Sequence, residues 1–260
     1  MNDILKNKTI IVTGGAGLIG SEIVKTVLFS GGNVIIADNN IESANNLVSS
    51  LPKEHNRHLL VVNTDITNKE SISKMINTAI NHFPNDLYGL VNNAYPKTHD
   101  FNKPFFEVEY ETFCKNLNMH LGGYFLMSQM FSKHLIQNKL NGLILNISSI
   151  YGVIAPKFSI YEGTKLTTGP EYPCIKSAII HLTKYMAQLL KKNGIRINCI
   201  SPGGIFANQP ESFLKAYHEE SGLKGILNPD DINSTIAYLL NPASAFVTGQ
   251  NIVVDDGFGL

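Results

Sequence analysis

The stretch that decides the fold is TIIVTGGAGLIG, at positions 9–20. Its first five residues, Thr9–Thr13, are apolar or β-branched, which predicts a buried strand. Three glycines follow at a spacing of three, and a helix-like segment begins among them. Such glycines permit a tight turn, and the N–H groups and positive dipole end of the helix attract an anion such as a pyrophosphate. The stretch therefore predicts a dinucleotide site, with expected contacts at Gly14, Gly17, Leu18, Ile19 and Gly20.

An acidic residue closes the second predicted strand, Asn33–Asp38 (NVIIAD). A carboxylate at this point accepts hydrogen bonds from the adenosine ribose hydroxyls and repels a 2′-phosphate. Neither positions 15–19 nor positions 39–41 carry an Arg or Lys that would bind that phosphate. Asp38 therefore predicts NAD rather than NADP as the cofactor.

Short apolar runs alternate with helix-like segments along the whole chain. The runs are near-continuously apolar, as in parallel strands that are covered on both faces. This alternation predicts an α/β fold, a Rossmann-type doubly wound parallel sheet, in a single domain over residues 1–260. The predicted strands are Thr9–Thr13, Asn33–Asp38, Leu59–Thr64, Asp86–Asn92, Asn141–Ser148, Gly194–Ser201 and Gln250–Asp255. The predicted helices are Leu18–Phe29, Asn40–Ser49, Lys69–His82, Tyr110–Gln137, Tyr172–Lys192 and Pro229–Leu240.

Composition argues against several functional classes. The 21 Lys and Arg residues are balanced by 21 Asp and Glu residues, so a sequence-independent nucleic-acid partner is not expected. The three cysteines are isolated and the histidines lack metal-ligand spacing, so neither disulfides nor a metal site is expected. Without a signal-peptide pattern or an apolar run of about 18 residues, the expected location is the cytoplasm, with no membrane partner.

Four further motifs follow the glycine turn in order. They are Asp65-Ile66, Asn92-Asn93-Ala94, the NISS stretch ending at Ser149, and Pro202-Gly203 after IRIN. With them the sequence resembles the short-chain dehydrogenase/reductase family over essentially its full length. The glycine spacing is like that of the extended, sugar-nucleotide-modifying branch, but the length and the C-terminal TGQ favour the compact branch. The resemblance implies cofactor contacts by Asp65, Ile66, Asn92, Ala94, Pro202, Gly203 and Ile205.

The family requires a Tyr-x-x-x-Lys pair on one helix face, and the sequence offers two. A helix beginning at Tyr161 would meet Gly163 at once and Gly169-Pro170 soon after, and these residues would break it. A helix beginning at Tyr172 has Pro173 in its first turn, where proline is tolerated, and is then free of Gly and Pro for about five turns. We therefore assign Tyr172 and Lys176 as catalytic and cofactor-binding residues. The lysine ammonium is expected to lower the phenol pKa and to hold the nicotinamide ribose.

The resemblance also implies a serine and an asparagine in the catalytic set. Ser149 matches the serine position better than Ser148, and His120 stands where the family has asparagine. His120 would hold a water or shuttle a proton; alternatively it is only an interior histidine. The segment 157–171 is about ten residues longer than usual, which fits either a surface loop or a segment that covers the substrate or contacts another subunit.

The expected chemistry is hydride transfer between the nicotinamide and a secondary alcohol or ketone. Stretches 149–156, 160–164 and 201–210 resemble a bacterial subgroup linked to flagellin glycosylation and nonulosonic acid synthesis. This implies a sugar or amino-sugar substrate, and Lys157, Lys165, Asn208 and Gln209 are candidates for binding it. The alternatives are an epimerase or dehydratase that retains its NAD, and a non-catalytic NAD-sensing or scaffold protein.

Two long helices carry apolar residues beyond one stripe, at Phe131 and Tyr185. The family resemblance implies that these helices pair between subunits. We therefore expect a homodimer or homotetramer.

Overall fold

The computed structural model describes residues 3–84 and 87–260. Its centre is a parallel sheet of seven strands in the order β3-β2-β1-β4-β5-β6-β7. The strands are β1 (Thr9–Thr13), β2 (Asn33–Asp38), β3 (Leu59–Asn63), β4 (Leu87–Asn92), β5 (Gly142–Ile147), β6 (Ile195–Pro202) and β7 (Asn251–Val254). The helices are α1 (Leu18–Phe29), α2 (Ile41–Ser50), α3 (Lys69–His82), α4 (Tyr110–Gln137), α5 (Glu171–Leu190), α6 (Glu211–Glu219) and α7 (Asn233–Leu240).

Helices cover both faces of the sheet, which explains why the strands are apolar throughout. Ile11 of β1 belongs to the core that α3, α4 and α5 cover, together with Met127 and Ile179. Ile10, its neighbour in β1, faces the opposite core with Ile23 of α1 and residues of α7. Because successive side chains of a strand point to opposite faces, a strand between two cores has no solvent face.

The strand order reverses between β1 and β4. Both strands run parallel, so their carboxyl ends lie at the same edge of the sheet. In open α/β sheets a crevice forms outside the carboxyl ends at such a reversal, and ligands bind there. The turn after β1, beginning at Gly14, and the residues after β4 lie on the two sides of this crevice.

Most predicted elements are confirmed. The bounds of β1, β2, α1, α3 and α4 agree with the prediction, and those of the other predicted elements differ by one or two residues, except at the start of the last helix. The last predicted helix begins as a 3₁₀ segment, Pro229–Ile232, before α7. Asp86, where the fourth strand was expected to start, lies outside the described residues. The short helix α6 was not predicted.

The prediction that Phe131 extends the apolar surface of α4 is wrong. Phe131 is 0% exposed, because it lies on the core-facing stripe of α4 with Tyr124, Met127 and Leu135. The outer face of α4 instead presents Phe125, 49% exposed, and Tyr185 of α5 is 62% exposed, as expected. No helix within residues 3–84 and 87–260 combines the length and hydropathy needed to cross a membrane.

Candidate active site

A cavity of about 780 Å³ lies at the carboxyl edge of the sheet. Its wall runs from the glycine turn and the end of β2 to the start of α5 and the loop after β6. Such a volume falls in the range of small-molecule and cofactor sites. The cavity has two ends, which we call the cofactor end, around Gly17 and Asp38, and the substrate end, around Tyr161 and Phe213.

The glycine turn is shaped by contacts that exclude side chains. Gly14 has φ +61°, and a Cβ there would lie 2.7 Å from the Cα of Ala94. A Cβ on Gly20 would overlap the Gly14 carbonyl oxygen. Gly20 is not part of the cavity wall, so its role is close packing of α1 against the turn rather than ligand contact. Both positions therefore require glycine.

The N-terminus of α1 opens into the cavity. Gly17 is its N-cap, no side chain caps the helix, and its first turn has no acidic residue. Gly17, Leu18 and Ile19 line the cavity. An uncapped helix N-terminus offers N–H donors and a positive dipole to an anion, so these residues fit a pyrophosphate.

Asp38 lies at the cavity wall and holds the turn in place. Its Oδ2 accepts a hydrogen bond from the Ala16 N–H at 2.9 Å, and its Oδ1 accepts one from the Asn40 N–H at 2.9 Å. An ionised carboxylate has about four acceptor positions, so ribose hydroxyls can still bind. Within the described cavity wall the only Lys or Arg side chain is Lys176, far along the chain from Asp38.

Six other residues predicted to contact the cofactor also line the cavity. They are Asp65, Ile66, Ala94, Pro202, Gly203 and Ile205. The Asp65 carboxylate also accepts hydrogen bonds from the backbone N–H and the hydroxyl of Thr67, which orient it.

Asn92 lies elsewhere than expected. It is 0% exposed and outside the cavity wall, and its amide donates to the side chains of Ser128 and Asn146 at 2.9 and 2.8 Å. The next residue, Asn93, lines the cavity and donates to the Thr13 and Gly14 carbonyls. A strand alternates its faces, so the motif directs one asparagine to the core and the following one to the turn.

Tyr172 and Lys176 lie in the first turns of α5 and line the cavity. The Lys176 Nζ lies 5.7 Å from the centre of the Tyr172 ring and donates to the Ile147 carbonyl at 3.0 Å. Burial lowers the pKa of Lys176 to about 8. Burial also raises the pKa of Tyr172, and a hydrogen bond with the Ser149 side chain acts in the opposite direction. The net shift of the Tyr172 pKa is upward, with burial as its largest cause, and the lowering of the phenol pKa by Lys176 stays a prediction.

The two serines after β5, Ser148 and Ser149, differ in their hydrogen-bond partners. The Ser148 hydroxyl donates to the Lys176 carbonyl at 2.7 Å and is thereby tied to the helix backbone. The Ser149 oxygen faces Tyr172 and accepts from the Tyr151 N–H at 3.2 Å. Ser149 is therefore the serine that a reacting oxygen beside Tyr172 would meet.

His120 lies behind this group and not on the cavity wall. It is 0% exposed, and both ring nitrogens lack a hydrogen-bond partner among the described residues. The rings of Tyr95 and Tyr124 pack edge-on against it, each at 5.1 Å. Burial, and then the nearby Lys176 charge, hold the pKa of His120 well below its usual range, so the ring is neutral.

The substrate end is built mainly from residues that sequence reasoning missed. They come from separate parts of the chain and include Tyr95, Asn102, Tyr151, Thr168, Phe213 and Tyr217. Tyr161, from the Tyr-x-x-x-Lys pair that was not assigned as catalytic, also lies at this end. It donates a hydrogen bond to the Tyr151 hydroxyl at 3.0 Å. The extra length of the 157–171 segment was the main signal in the sequence that pointed to this wall.

Of the polar residues proposed for substrate binding, only Gln209 lines the cavity. Lys157 is engaged elsewhere: its ammonium pairs with Glu220 at 2.8 Å and lies over the Phe258 ring. Lys165 and Asn208 are not part of the cavity wall.

Comparison with known proteins identifies the family to which this chain belongs. Residues 15–259 match the family model described as enoyl-(acyl carrier protein) reductase. The chain is 34% identical to a short-chain dehydrogenase of Leptospira borgpetersenii solved with bound NAD+, with a TM-score of 0.85 over 98% of this chain and 94% of the other. The protein thus belongs to the short-chain dehydrogenase/reductase family and is an oxidoreductase.

Two curated relatives show the range of the similarity. The post-translational flagellin modification protein A of Campylobacter coli is 42% identical over 258 residues, which cover 99% of this chain and all of the relative. The 7alpha-hydroxysteroid dehydrogenase of Bacteroides fragilis is 29% identical, over 97% of this chain and 94% of the relative.

Proposed function

We propose that this protein is an NAD(H)-dependent oxidoreductase that interconverts a secondary alcohol and a ketone on a sugar or amino-sugar. The observation that carries the chemistry is the convergence of Ser149, Tyr172 and Lys176 at one part of the cavity wall. The name of the Campylobacter coli relative, together with the stretches 149–156 and 201–210, supports a sugar on the way to a modified flagellin or another surface glycan.

The cofactor end fits NAD. Bound there, NAD supplies a hydride acceptor, and NADH a hydride donor, at the nicotinamide ring. The N-terminus of α1 would receive the pyrophosphate, and Asp38 the adenosine ribose. A carboxylate without a neighbouring Arg or Lys disfavours a 2′-phosphate, which supports NAD over NADP.

The chain's own residues move the proton. During oxidation the Tyr172 phenolate accepts the proton of the substrate hydroxyl, while the Ser149 hydroxyl donates to the same oxygen and holds it. Lys176, charged below a pH of about 8, supports the phenolate and holds the nicotinamide ribose. In the reduction Tyr172 returns the proton.

We further propose that His120 acts as a positioning residue behind Lys176. Its two ring nitrogens, which have no hydrogen-bond partner among the described residues, can hold a water that returns a proton to the Lys176 amine after the lysine has given one up. Because the ring is neutral, it serves as an acceptor and donor of hydrogen bonds rather than as a charge.

We propose that a second copy of the chain covers the outer faces of α4 and α5. Apolar and aromatic side chains from both helices line a shallow groove there, among them Leu121, Phe125, Leu182 and Tyr185. Light scattering at micromolar concentration should give a dimer or tetramer, and the double variant Phe125→Glu/Tyr185→Glu should shift it to the monomer. A monomeric parent protein would contradict the proposal.

The test of the activity is a screen by absorbance of NADH. Free hexoses, hexose phosphates and nucleotide sugars are offered with NAD, and ketones derived from them with NADH. We expect turnover with at least one member, and none with Tyr172→Phe. A parent protein that binds NADH but turns over no member, in either direction, would contradict an activity on sugars.

A further inference from the structure

The 157–171 segment forms part of the substrate end. Four of its residues line the cavity, namely Tyr161, Leu166, Thr167 and Thr168. The segment is fixed at several points, which a freely moving surface loop would not be. The Gly169 N–H donates to the Asn102 side chain at 3.2 Å, and Glu171, 0% exposed, accepts from the Asn102 N–H at 3.0 Å.

One face of this end is aromatic. Tyr161 packs on Phe213 with ring centres 5.3 Å apart, and Phe213 packs on Tyr217 at 6.1 Å. All three rings line the cavity. An aromatic face binds the C–H face of a ring-shaped ligand while leaving the polar edge of that ligand free.

Neutral polar groups surround the aromatic face. The Thr168 hydroxyl is buried and has no hydrogen-bond partner among the described residues, although Thr168 lines the cavity. The Tyr151 hydroxyl accepts from Tyr161, so its own proton remains available. Tyr151 and Tyr172 line the same cavity. Gln209 and Asn102 add amide groups to the same wall.

We propose that the 157–171 segment selects the substrate by binding a polyhydroxylated ring, with the ring on Tyr161 and Phe213 and its hydroxyls on Thr168 and Tyr151. This rests on the proposed oxidoreductase activity and adds the residues that recognise the substrate. A buried hydroxyl without a partner costs stability, and a ligand hydroxyl would supply the missing hydrogen bond. A steroid-like ligand would leave most of these polar groups unpaired.

Two variants remove the proposed contacts without changing shape much. Thr168→Val replaces a hydroxyl by a methyl, and Tyr161→Phe removes the hydrogen bond that orients Tyr151. Each should raise KM for the sugar substrate about tenfold, the effect of about one hydrogen bond, while the affinity for NADH stays the same. The matched control is Ser159→Ala, in the same segment but exposed and not on the cavity wall; its KM should not change.

A readout independent of turnover uses the absence of tryptophan from the chain. Leu166→Trp places a single tryptophan on the substrate wall, and its emission is followed in the NADH-bound protein as each probe is added. A free hexose, a hexose phosphate and a nucleotide sugar are the three sugar probes, and a 7-hydroxysteroid is the contrasting one. We expect a response to at least one sugar probe and none to the steroid, and the responding probes identify the form of the sugar. If Leu166→Trp fails to bind NADH, Thr167→Trp replaces it.

The outcomes separate the two proposals. If Tyr172→Phe abolishes turnover but Thr168→Val and Tyr161→Phe leave KM unchanged, the oxidoreductase stands and the proposed recognition is wrong. A tryptophan response to the steroid alone, or to no sugar probe, would also overturn the recognition. If Tyr172→Phe keeps full turnover, the proposed catalytic set is wrong, whatever the KM values show.

Discussion

The two ends of the cavity are built on different principles. The cofactor end consists largely of backbone: a glycine turn, an uncapped helix N-terminus and one carboxylate that accepts from two backbone N–H groups. The substrate end consists of side chains, many of them aromatic, from separate parts of the chain between Tyr95 and Tyr217. A backbone site tolerates little change because each atom is fixed by its turn, whereas a wall of side chains can be replaced one residue at a time. This difference lets one fold bind a common cofactor beside many substrates.

The largest effect is expected where the two ends meet. Tyr172→Phe keeps the ring and its packing but removes the proton that the reaction moves, so the rate should fall by about 10²–10⁴-fold. Affinity for NADH should survive, because it depends on the cofactor end. Tyr161→Phe, whose ring lies on the other wall, should leave kcat nearly intact and change KM. Both kcat values are measured with the substrate that the screen identifies. If Tyr161→Phe lost kcat and Tyr172→Phe did not, Tyr161 rather than Tyr172 would be the catalytic tyrosine.

A methyl group at Gly14 should disrupt the cofactor end. A Cβ there would lie 2.7 Å from a backbone atom and would strain a φ of +61°, so we expect affinity for NADH to fall at least about tenfold and stability to fall by about 1–3 kcal/mol. Gly163→Ala is the matched control, since it has φ +71° but nothing within 4 Å of the added carbon. The Gly163→Ala variant should lose only about 1 kcal/mol of stability, the cost of a side chain at positive φ, and should bind NADH normally. Equal effects of both variants by titration and urea unfolding would show that close approach at Gly14 has no special role.

Asp38 tests how the cofactor end discriminates between dinucleotides. Asp38→Asn keeps the shape but removes the charge that repels a 2′-phosphate, so the preference for NAD over NADP should narrow by about tenfold, or about 1.4 kcal/mol. Asp38→Ala should narrow it as well and also loosen the turn, because the acceptor for the Ala16 N–H is lost. Titration with both cofactors checks this. Tighter binding of NADP by the parent protein would contradict the role given to Asp38.

Burial of the Lys176 ammonium carries a stability cost that depends on pH. With its pKa lowered to about 8 by burial, the lysine is charged in both folded and unfolded states below pH 8, so the folded state bears the desolvation cost there. As pH rises from about 8 to about 10.5 the folded protein loses the proton first, and the cost disappears. Lys176→Met should therefore be inactive but about 1–3 kcal/mol more stable at pH 7, with a smaller gain at pH 10. Urea unfolding at both pH values measures it; a gain that grows with pH would have the wrong sign.

Much of the cofactor end could be predicted because its signals are local. The glycine turn, Asp38 and the Asp65-Ile66 pair each follow a strand end, and parallel strands bring their carboxyl ends to one edge. The error at Asn92 came from the one thing that a motif does not show, namely which of two adjacent asparagines faces the core. The error at Phe131 had the same origin, the phase of a long helix relative to the sheet.

By itself, the sequence determined the class of fold and the order of most elements, and it predicted Tyr172 rather than Tyr161 as the catalytic tyrosine and the backbone part of the cofactor end. These follow from hydrophobic periodicity, from helix-breaking residues and from the backbone conformations that glycine allows, all of which act over a few residues. Only the tertiary structure brought Tyr161 and Tyr172 to the same cavity, buried the His120 ring with no hydrogen-bond partner among the described residues, and made the 157–171 segment a wall of the substrate end. Those results depend on which distant side chains meet when the helices pack on the sheet, and no short stretch of sequence contains that information.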